Sequence, residues 1–493
     1  MSTVVSLPVL VPLVAAAFTL LFRRLAVQRT VSFVALGVSL AASIVTFVRL
    51  WDDGMIRVVR MGGWPGSFAI TLVADRLSSA MVLVATVVLT VVLVYAAGQR
   101  APDERSSFYH PVYMVMSAGI AQAFLAGDLF NLFVAFEILL MASYVLLTLE
   151  GTNAQVRSGT TYVVLNIMES TVLVMAIGLV FAATGTVSMA ELPARLAELP
   201  DGVRIGLHLL LLVAFGIKAA VFPLFFWLPD SYPTAPSSVS AVFAGLLTKV
   251  GVYCLIRLQT LLFPGELRGV VIFIGAATML VGVIGAISHR DMKRILSFHI
   301  VSQIGYMVFG LGIGGAAAVA ATIFYLIHHI PVKTSLFLVE GIIERDTGSS
   351  SGDDVSGMAR RSPALAVLFL VPALSLAGLP PFSGFLAKFA IVRAGVVDAQ
   401  WAGVAVALVV SLLTLVSMVK IWVSVFWGEA GTAGNGPAVG VMRHRRAMGL
   451  STAAIVGLSL AIAFCAGPLY DYAVRAAEQL LDVAGYVSAV RSS

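Results

Sequence analysis

Long apolar runs, each near the length of a bilayer crossing, alternate along the chain with short polar loops. A helix needs about 20 apolar residues to cross the hydrocarbon core. Runs of that order fall at 4–22, 30–50, 78–98, 110–127, 129–149, 160–183 and 206–228. They continue at 237–261, 268–288, 294–312, 316–343, 363–392, 402–427 and 448–468. The pattern predicts an all-α polytopic membrane protein of about fourteen transmembrane helices, with no soluble segment long enough to build its own core. Two runs are singled out by where their prolines fall. Pro223 follows Lys218 by five residues in the seventh, and Pro380 and Pro381 precede Lys388 in the twelfth. Proline removes a backbone donor and kinks a helix, so both helices are expected to be broken. Irregular backbone at membrane depth is tolerated beside protein or a water-filled cavity. Interrupted helices in corresponding places of two halves point to a transporter site. The layout puts those halves at roughly 110–261 and 268–427.

Composition agrees with the pattern. The chain of 493 residues is 59% hydrophobic and 11% charged, where soluble domains carry roughly 25% charge. The net charge of +6 suits loops at one membrane face better than nucleic acid, because the basic residues form no long cluster. Cys254 and Cys465 show neither metal nor redox spacing, and no metal site or cofactor is expected. The first run lacks a charged leader and reads as a retained helix, not a signal peptide. One set of loops holds Arg23, Arg24, Arg29, Arg100, Arg105, Arg157, Arg290, Lys293, Arg294, Arg345, Arg360, Arg361, Arg443, Arg445 and Arg446. The opposite set holds mainly Arg57, Arg60, Arg76, Arg195, Arg204 and Arg268. This excess puts the first set in the cytoplasm and both termini on the outer face. The loop from Asp346 to Asp354 reads as polar and flexible, and that from Gly428 to Gly440 as rich in Gly and Ala. The tail from Gly467 reads as an amphipathic helix lying on the membrane surface or against a partner.

Candidate chemistry lies where charge is expensive. An ionised side chain in mid-membrane costs about 2.5–3.5 kcal/mol on insertion scales. Glu137, Lys218, Lys249, His329, Lys333 and Lys388 all fall inside apolar runs. His329 and Lys333 are four apart and share a helix face. A carboxylate that approaches or leaves a buried amine changes whether the amine keeps its proton, so Glu137 and Lys218 are read as a switching pair. None of the six is arginine, which cannot release a proton. The alternative is that a buried Glu–Lys pair is internal glue between helices. Glu169, His299 and His328 are candidate additional relay residues. Glu169 could pair with Lys218 or Lys249, or satisfy a hydroxyl cluster. His299 could bridge the halves, and His328 points about 100° away from His329 toward a different partner. Lys420, nearer a helix end, is expected to snorkel.

The strings GDLFNLFVAFE, WLPDSYPTAPSSVSAVFAGLLTKVGVY, RDMKRILSFHIVSQIGYM, FYLIHHIPVKTSLFLVEGIIER and FWGE resemble the D subunits of multi-subunit Mrp-type sodium/proton antiporters, from about Asp75 to Glu429. That family is akin to membrane subunits of respiratory complex I and of membrane-bound hydrogenases. The resemblance implies fourteen helices with two inverted five-helix repeats and broken helices 7 and 12. On this sequence that gives helices 1–3 in 1–109, the first repeat in 110–261, the second in 262–428, and helix 14 with the tail in 429–493. It places the family's helix-five glutamate on Glu137 and its helix-seven lysine on Lys218. The helix-eight lysine falls on Lys249, the helix-eleven pair on His329 and Lys333, and the helix-twelve group on Lys388. Tyr325 stands where some relatives have a further histidine, and the family pattern assigns nothing to Glu169.

The function expected is proton translocation by one subunit of a hetero-oligomeric sodium/proton antiporter in a bacterial cytoplasmic membrane. Sister subunits, membrane lipid, protons and sodium are the expected partners, and nucleic acid is not. The alternative is a proton-pumping membrane subunit of a complex I-like or hydrogenase redox enzyme.

Overall fold

The structure is a computed structural model that describes residues 2–63, 70–99, 104–428 and 442–492. Arg100 and the loop residues 429–440 lie outside the described residues, as do the side chains of Arg443 and Arg445. Among the described residues fourteen helical segments follow in order, twelve of them, all but α4 and α12, long and apolar enough to cross a membrane: α1 (Ser2–Leu21), α2 (Leu25–Asp52), α3 (Arg76–Gln99), α4 (Tyr109–Leu125), α5 (Leu129–Leu147), α6 (Asn153–Thr184) and α7 (Asp201–Ala219). Then come α8 (Ser237–Leu262), α9 (Arg268–Ser288), α10 (Met292–Ile313) and α11 (Gly315–Thr347). The twelfth crossing, α12, is in two pieces, Pro363–Ala377 and Ser383–Val397. After it come α13 (Trp401–Phe426) and α14 (Met442–Phe464).

The breaks fall where the prolines predict, in α12 at Gly378–Phe382 and in the seventh crossing after Ala219. One element was not foreseen, an antiparallel hairpin of β1 (Arg57–Arg60) and β2 (Thr71–Ala74), with Arg57 opposite Ala74 and Arg60 opposite Thr71. Its strands of four residues are too short for alternation to stand out in the sequence.

Burial is uneven in a way that fits a protein solvated by lipid. The apolar stretch of α8 is enclosed throughout and those of α10 and α11 nearly so, whereas α6, α9 and α13 turn most of their surface outward. Chargeable groups on the inner helices therefore meet protein, not lipid. α11 is the central column. It packs against α8, α10, both pieces of α12, α14 and α3.

One construction occurs twice. Asp128 caps α5, accepting from the Asn131 amide at 2.6 Å, and its backbone bridges Ser188 beyond α6. Asp291 caps α10, accepting from the Arg294 amide at 2.8 Å, and bridges Ser351 beyond α11. Thr184–Gly185–Thr186 and Thr347–Gly348–Ser349 close α6 and α11 alike. Each glycine is left-handed, at φ 74° and 81°, the conformation favoured at a helix C-terminus. Each threonine hydroxyl serves the carbonyl four residues back and the carbonyl two residues on. Five crossings separate the copies, an odd number, so they lie at opposite ends of the bundle.

Two expectations about loops are corrected. The segment 346–354 is pinned, not loose: the Ser350 hydroxyl donates to Asp291, Ser349 to Asp354 at 2.8 Å, and Arg290 pairs with Asp353 at 3.0 Å. The tail forms α15 (Ala466–Leu481) and α16 (Val483–Arg491) and folds back on its own chain. Tyr472 is buried with its hydroxyl on the Arg76 carbonyl at 2.7 Å, and Gln479 joins the Arg76 amide to the Gly54 carbonyl. Below it Arg257 of α8 forms a buried ion pair with Asp75 and lies over the Tyr253 and Tyr486 rings.

Gly251 sets how close α8 comes to the broken end of α7. A Cβ there would stand 2.4 Å from the Ala219 amide nitrogen and 2.8 Å from the Lys218 carbonyl carbon. Both contacts are backbone and cannot swing aside. Gly251→Ala is predicted to destabilise the protein by about 1–3 kcal/mol, the usual range for overpacking. The check is thermal unfolding of the purified assembly in detergent, and an unchanged midpoint would refute the close approach.

Candidate functional site at the helix interruptions

The interruptions release backbone carbonyls, and the lysines use them. A helix of hydrocarbon depth otherwise satisfies its carbonyls internally. In α12 the Ala377 carbonyl accepts from Lys388 Nζ at 3.2 Å and from the Ser411 hydroxyl at 3.0 Å. In α8 a π turn at Phe243–Leu247 loosens the ladder, and the Ala244 carbonyl accepts from Lys249 Nζ at 2.5 Å. Such turns occur often at functional sites. Lys333 Nζ donates across to the Leu296 carbonyl of α10 at 3.0 Å. At the α7 break the indole of Trp227 caps the Ile217 carbonyl at 3.0 Å, and the Phe222 amide reaches the Thr278 hydroxyl of α9 at 2.9 Å. Lys333 is fully buried.

Lys218 is held differently. Its Nζ lies 3.6 Å from Glu169 Oε2 and 3.4 Å from Asn166 Oδ1, over the Phe136 ring at 5.2 Å. This corrects the expected pairing with Glu137, which forms no ion pair with Lys218. The reason is the face that α5 presents. Phe136, not Glu137, lies against Lys218, while α6, which packs on both α5 and α7, brings Glu169 to it. Glu137 stands behind, half-buried, with Oε1 enclosed and without a hydrogen-bond partner, and its charge is felt at Glu169. Glu137, Glu169 and Lys218 thus form one group.

A second group surrounds α11. Lys249, Lys333 and Lys388 are all charged neighbours of His329, whose ring nitrogens are buried with no hydrogen-bond partner. His328 bonds the Ser383 hydroxyl at 3.0 Å, and Ser383 meets Ser375 at 3.2 Å across the α12 break. Tyr325 donates to Gln303 at 2.5 Å and stacks on Tyr306, whose ring lies under Lys388 at 5.1 Å. His299 does not bridge the halves. It bonds Ser417 of α13 at 2.8 Å, within the second half. Lys420 extends its amine to the end of α9, where it caps the Ile287 and His289 carbonyls at 2.7 and 2.6 Å, in keeping with a lysine that snorkels toward a helix end. The two groups meet where Gly251, two residues past Lys249, touches the backbone of Lys218 and Ala219.

Several groups at the site escaped the sequence reading. Asn166 had a signal, being a polar residue three before Glu169 and so on its face. Ser383, Ser417 and Gln303 had none, because ordinary hydroxyl and amide residues become informative only once their neighbours are known.

Fold and site together define a polytopic helical membrane protein of the transporter class. Residues 126–414 match the family described as NADH:quinone oxidoreductase/Mrp antiporter, transmembrane. The Na(+)/H(+) antiporter D subunit of Alkalihalophilus pseudofirmus is 41% identical over 99% of both chains, and that of Bacillus subtilis 35% identical over 99% of both. A chain of the Mrp complex from a Dietzia species superposes over the full length of both chains with a TM-score of 0.92 at 34% identity. Thermus thermophilus respiratory complex I contains a chain of TM-score 0.82 at 24% identity, covering 97% of this chain and 99% of that one, a likeness of fold. The chain belongs to the NADH:quinone oxidoreductase/Mrp antiporter membrane-subunit family.

Removing one member of a buried ion pair strands the other, at roughly 3–5 kcal/mol, whereas replacing both by apolar groups is often neutral. Lys218→Met alone is therefore predicted to destabilise strongly, and Lys218→Met with Glu169→Leu to restore most of the loss. Thermal unfolding of the four members of the cycle measures the coupling, and additive losses would refute the pair.

Proposed function

We propose that the chain is the proton-translocating subunit of a multi-subunit sodium/proton antiporter, a transporter component and not a catalytic enzyme, in a bacterial cytoplasmic membrane. The observation that carries this reading is the arrangement of the four lysines. Lys218 alone has a carboxylate within ion-pair distance. Lys249, Lys333 and Lys388 rest on neutral carbonyl oxygens. A carbonyl accepts a hydrogen bond from an ammonium or from a neutral amine, so these three can release and regain a proton without breaking an ion pair.

In this reading Glu137, Glu169 and Lys218 are the gated end of the path. Glu169 holds Lys218 charged when its own proton is off, and frees the lysine's proton when it takes one up. Lys249 receives the effect across the Gly251 contact and passes it through His329 and Lys333 to Lys388. His329 suits a shuttle, since neutral imidazole presents one donor and one acceptor. His328 reaches the α12 break through Ser383, while His299 positions α13. Residues 110–261 and 262–428 are the two inverted repeats, and the basic loops face the cytoplasm with both termini outside. Sodium is the exchanged ion and the sister subunits are obligatory partners, so the isolated chain carries out no exchange. The redox-pump alternative draws on the shared family description and on a likeness of fold at 24% identity.

The test uses inverted vesicles holding the whole assembly in a host without its own antiporters. Respiration builds a pH gradient, and sodium, potassium or choline is then added while a dye reports pH. Sodium is predicted to collapse the gradient, with Lys388→Ala and the paired Lys218→Met, Glu169→Leu variant reducing the response at least tenfold at normal assembly. No response to any cation would overturn the reading.

A further inference from the structure

The face read as cytoplasmic carries a second cluster of charge that the path above does not use. Glu340 lies on α11 seven residues beyond Lys333. It is fully buried, and neither carboxylate oxygen has a hydrogen-bond partner. An ionised carboxylate so placed is costly, and a neutral one much less so, which suits a group that exchanges its proton. One turn further along, Glu344 is 40% exposed at its side chain and pairs with Lys293 of α10 at 2.8 Å. The Ser237 hydroxyl at the start of α8 also donates to Glu344, at 3.0 Å. Lys293 itself is buried, and with Glu344 and Asp291 it supplies the charge around Glu340. On the α3 side stands Tyr95, whose hydroxyl donates to the Leu338 carbonyl at 2.9 Å, with Arg345 and Asp346 also near it.

These groups form a graded series from surface to core: an accessible carboxylate, a buried amine bonded to it, and a buried carboxyl. The steps 333 to 340 to 344 keep one face of α11. The interval from Glu340 to Lys333 is two turns, roughly 10 Å at 1.5 Å per residue. Ser297 of α10 is buried, one turn past Lys293 and next to Leu296, whose carbonyl holds Lys333. Its hydroxyl can donate and accept.

We propose that Glu344, Lys293 and Glu340 form a proton inlet from the cytoplasmic face directly to Lys333, separate from the Glu137–Glu169–Lys218 group. The second half then has a proton entrance of its own. This rests on the antiporter reading, and the experiment separates the two.

In the vesicle assay with the full assembly, Glu340→Gln keeps shape and removes the exchangeable proton. A carboxyl that serves only packing loses no partner in that change, so its replacement would leave transport intact. The inlet predicts normal assembly, at least a fivefold fall in sodium-driven proton movement, an altered pH profile, and recovery of most activity in Glu340→Asp. Full activity with an unchanged profile in Glu340→Gln, beside an active wild type and an inactive Lys388→Ala, overturns the inlet and leaves the antiporter reading standing. An inactive wild type overturns both. Should Glu340→Gln fail to assemble, labelling of wild-type Glu340 by a hydrophobic carbodiimide decides by mass spectrometry. Labelling that rises as cytoplasmic-side pH falls supports the inlet, and none at any pH overturns it.

Discussion

A chargeable amine enclosed in a helical bundle needs oxygen atoms, and regular helices have none to spare. The rest of this structure follows from how that need is met. Lys388 is supplied by the break in α12, Lys249 by the π turn in α8, and Lys333 by a carbonyl of the neighbouring α10. Lys218 takes a carboxylate and an amide from α6. For Lys388, Lys249 and Lys218 the solution requires irregular backbone or a polar residue in a crossing, whereas Lys333 shares a carbonyl of the regular α10, and each is tolerated because protein surrounds it. The most enclosed helices, α8, α10 and α11, carry or serve Lys249 and Lys333.

The repeated cap construction gives the arrangement its symmetry. Asp128 with Ser188 and Asp291 with Ser351 close equivalent helix pairs at opposite ends of the bundle. The halves share that frame but place their charges differently. The first brings two carboxylates to one lysine, whereas the second distributes lysines and histidines along α11 and α12. A common scaffold thus holds an anion-controlled group at one end of the path and a neutral-acceptor relay at the other.

Much of this was legible in the sequence because membrane depth makes charge conspicuous. Glu137, Lys218, Lys249, His329, Lys333 and Lys388 stood out against apolar runs, and Pro223, Pro380 and Pro381 marked the breaks. What sequence could not give was adjacency. Glu137 looked like the partner of Lys218, but α5 turns Phe136 to the lysine and α6 brings Glu169 to it. His299 looked like a bridge between halves, and a serine on α13 binds it instead. Glu340 drew no reading, because nothing in VEGIIER says that its carboxylate is enclosed. The hairpin, the π turns and the folding of α15 over α3 and α11 depend on tertiary packing that leaves no periodic trace.

The central claim is that a buried carboxyl beside Lys218 changes protonation as the protein works. Infrared difference spectroscopy of the reconstituted assembly, recorded on a step in sodium at fixed pH, addresses it directly. The account predicts a signal from a carboxyl group gaining or losing its proton, present in the wild type and absent in Glu169→Gln, with the remaining bands unchanged. Identical spectra from the two proteins would contradict it.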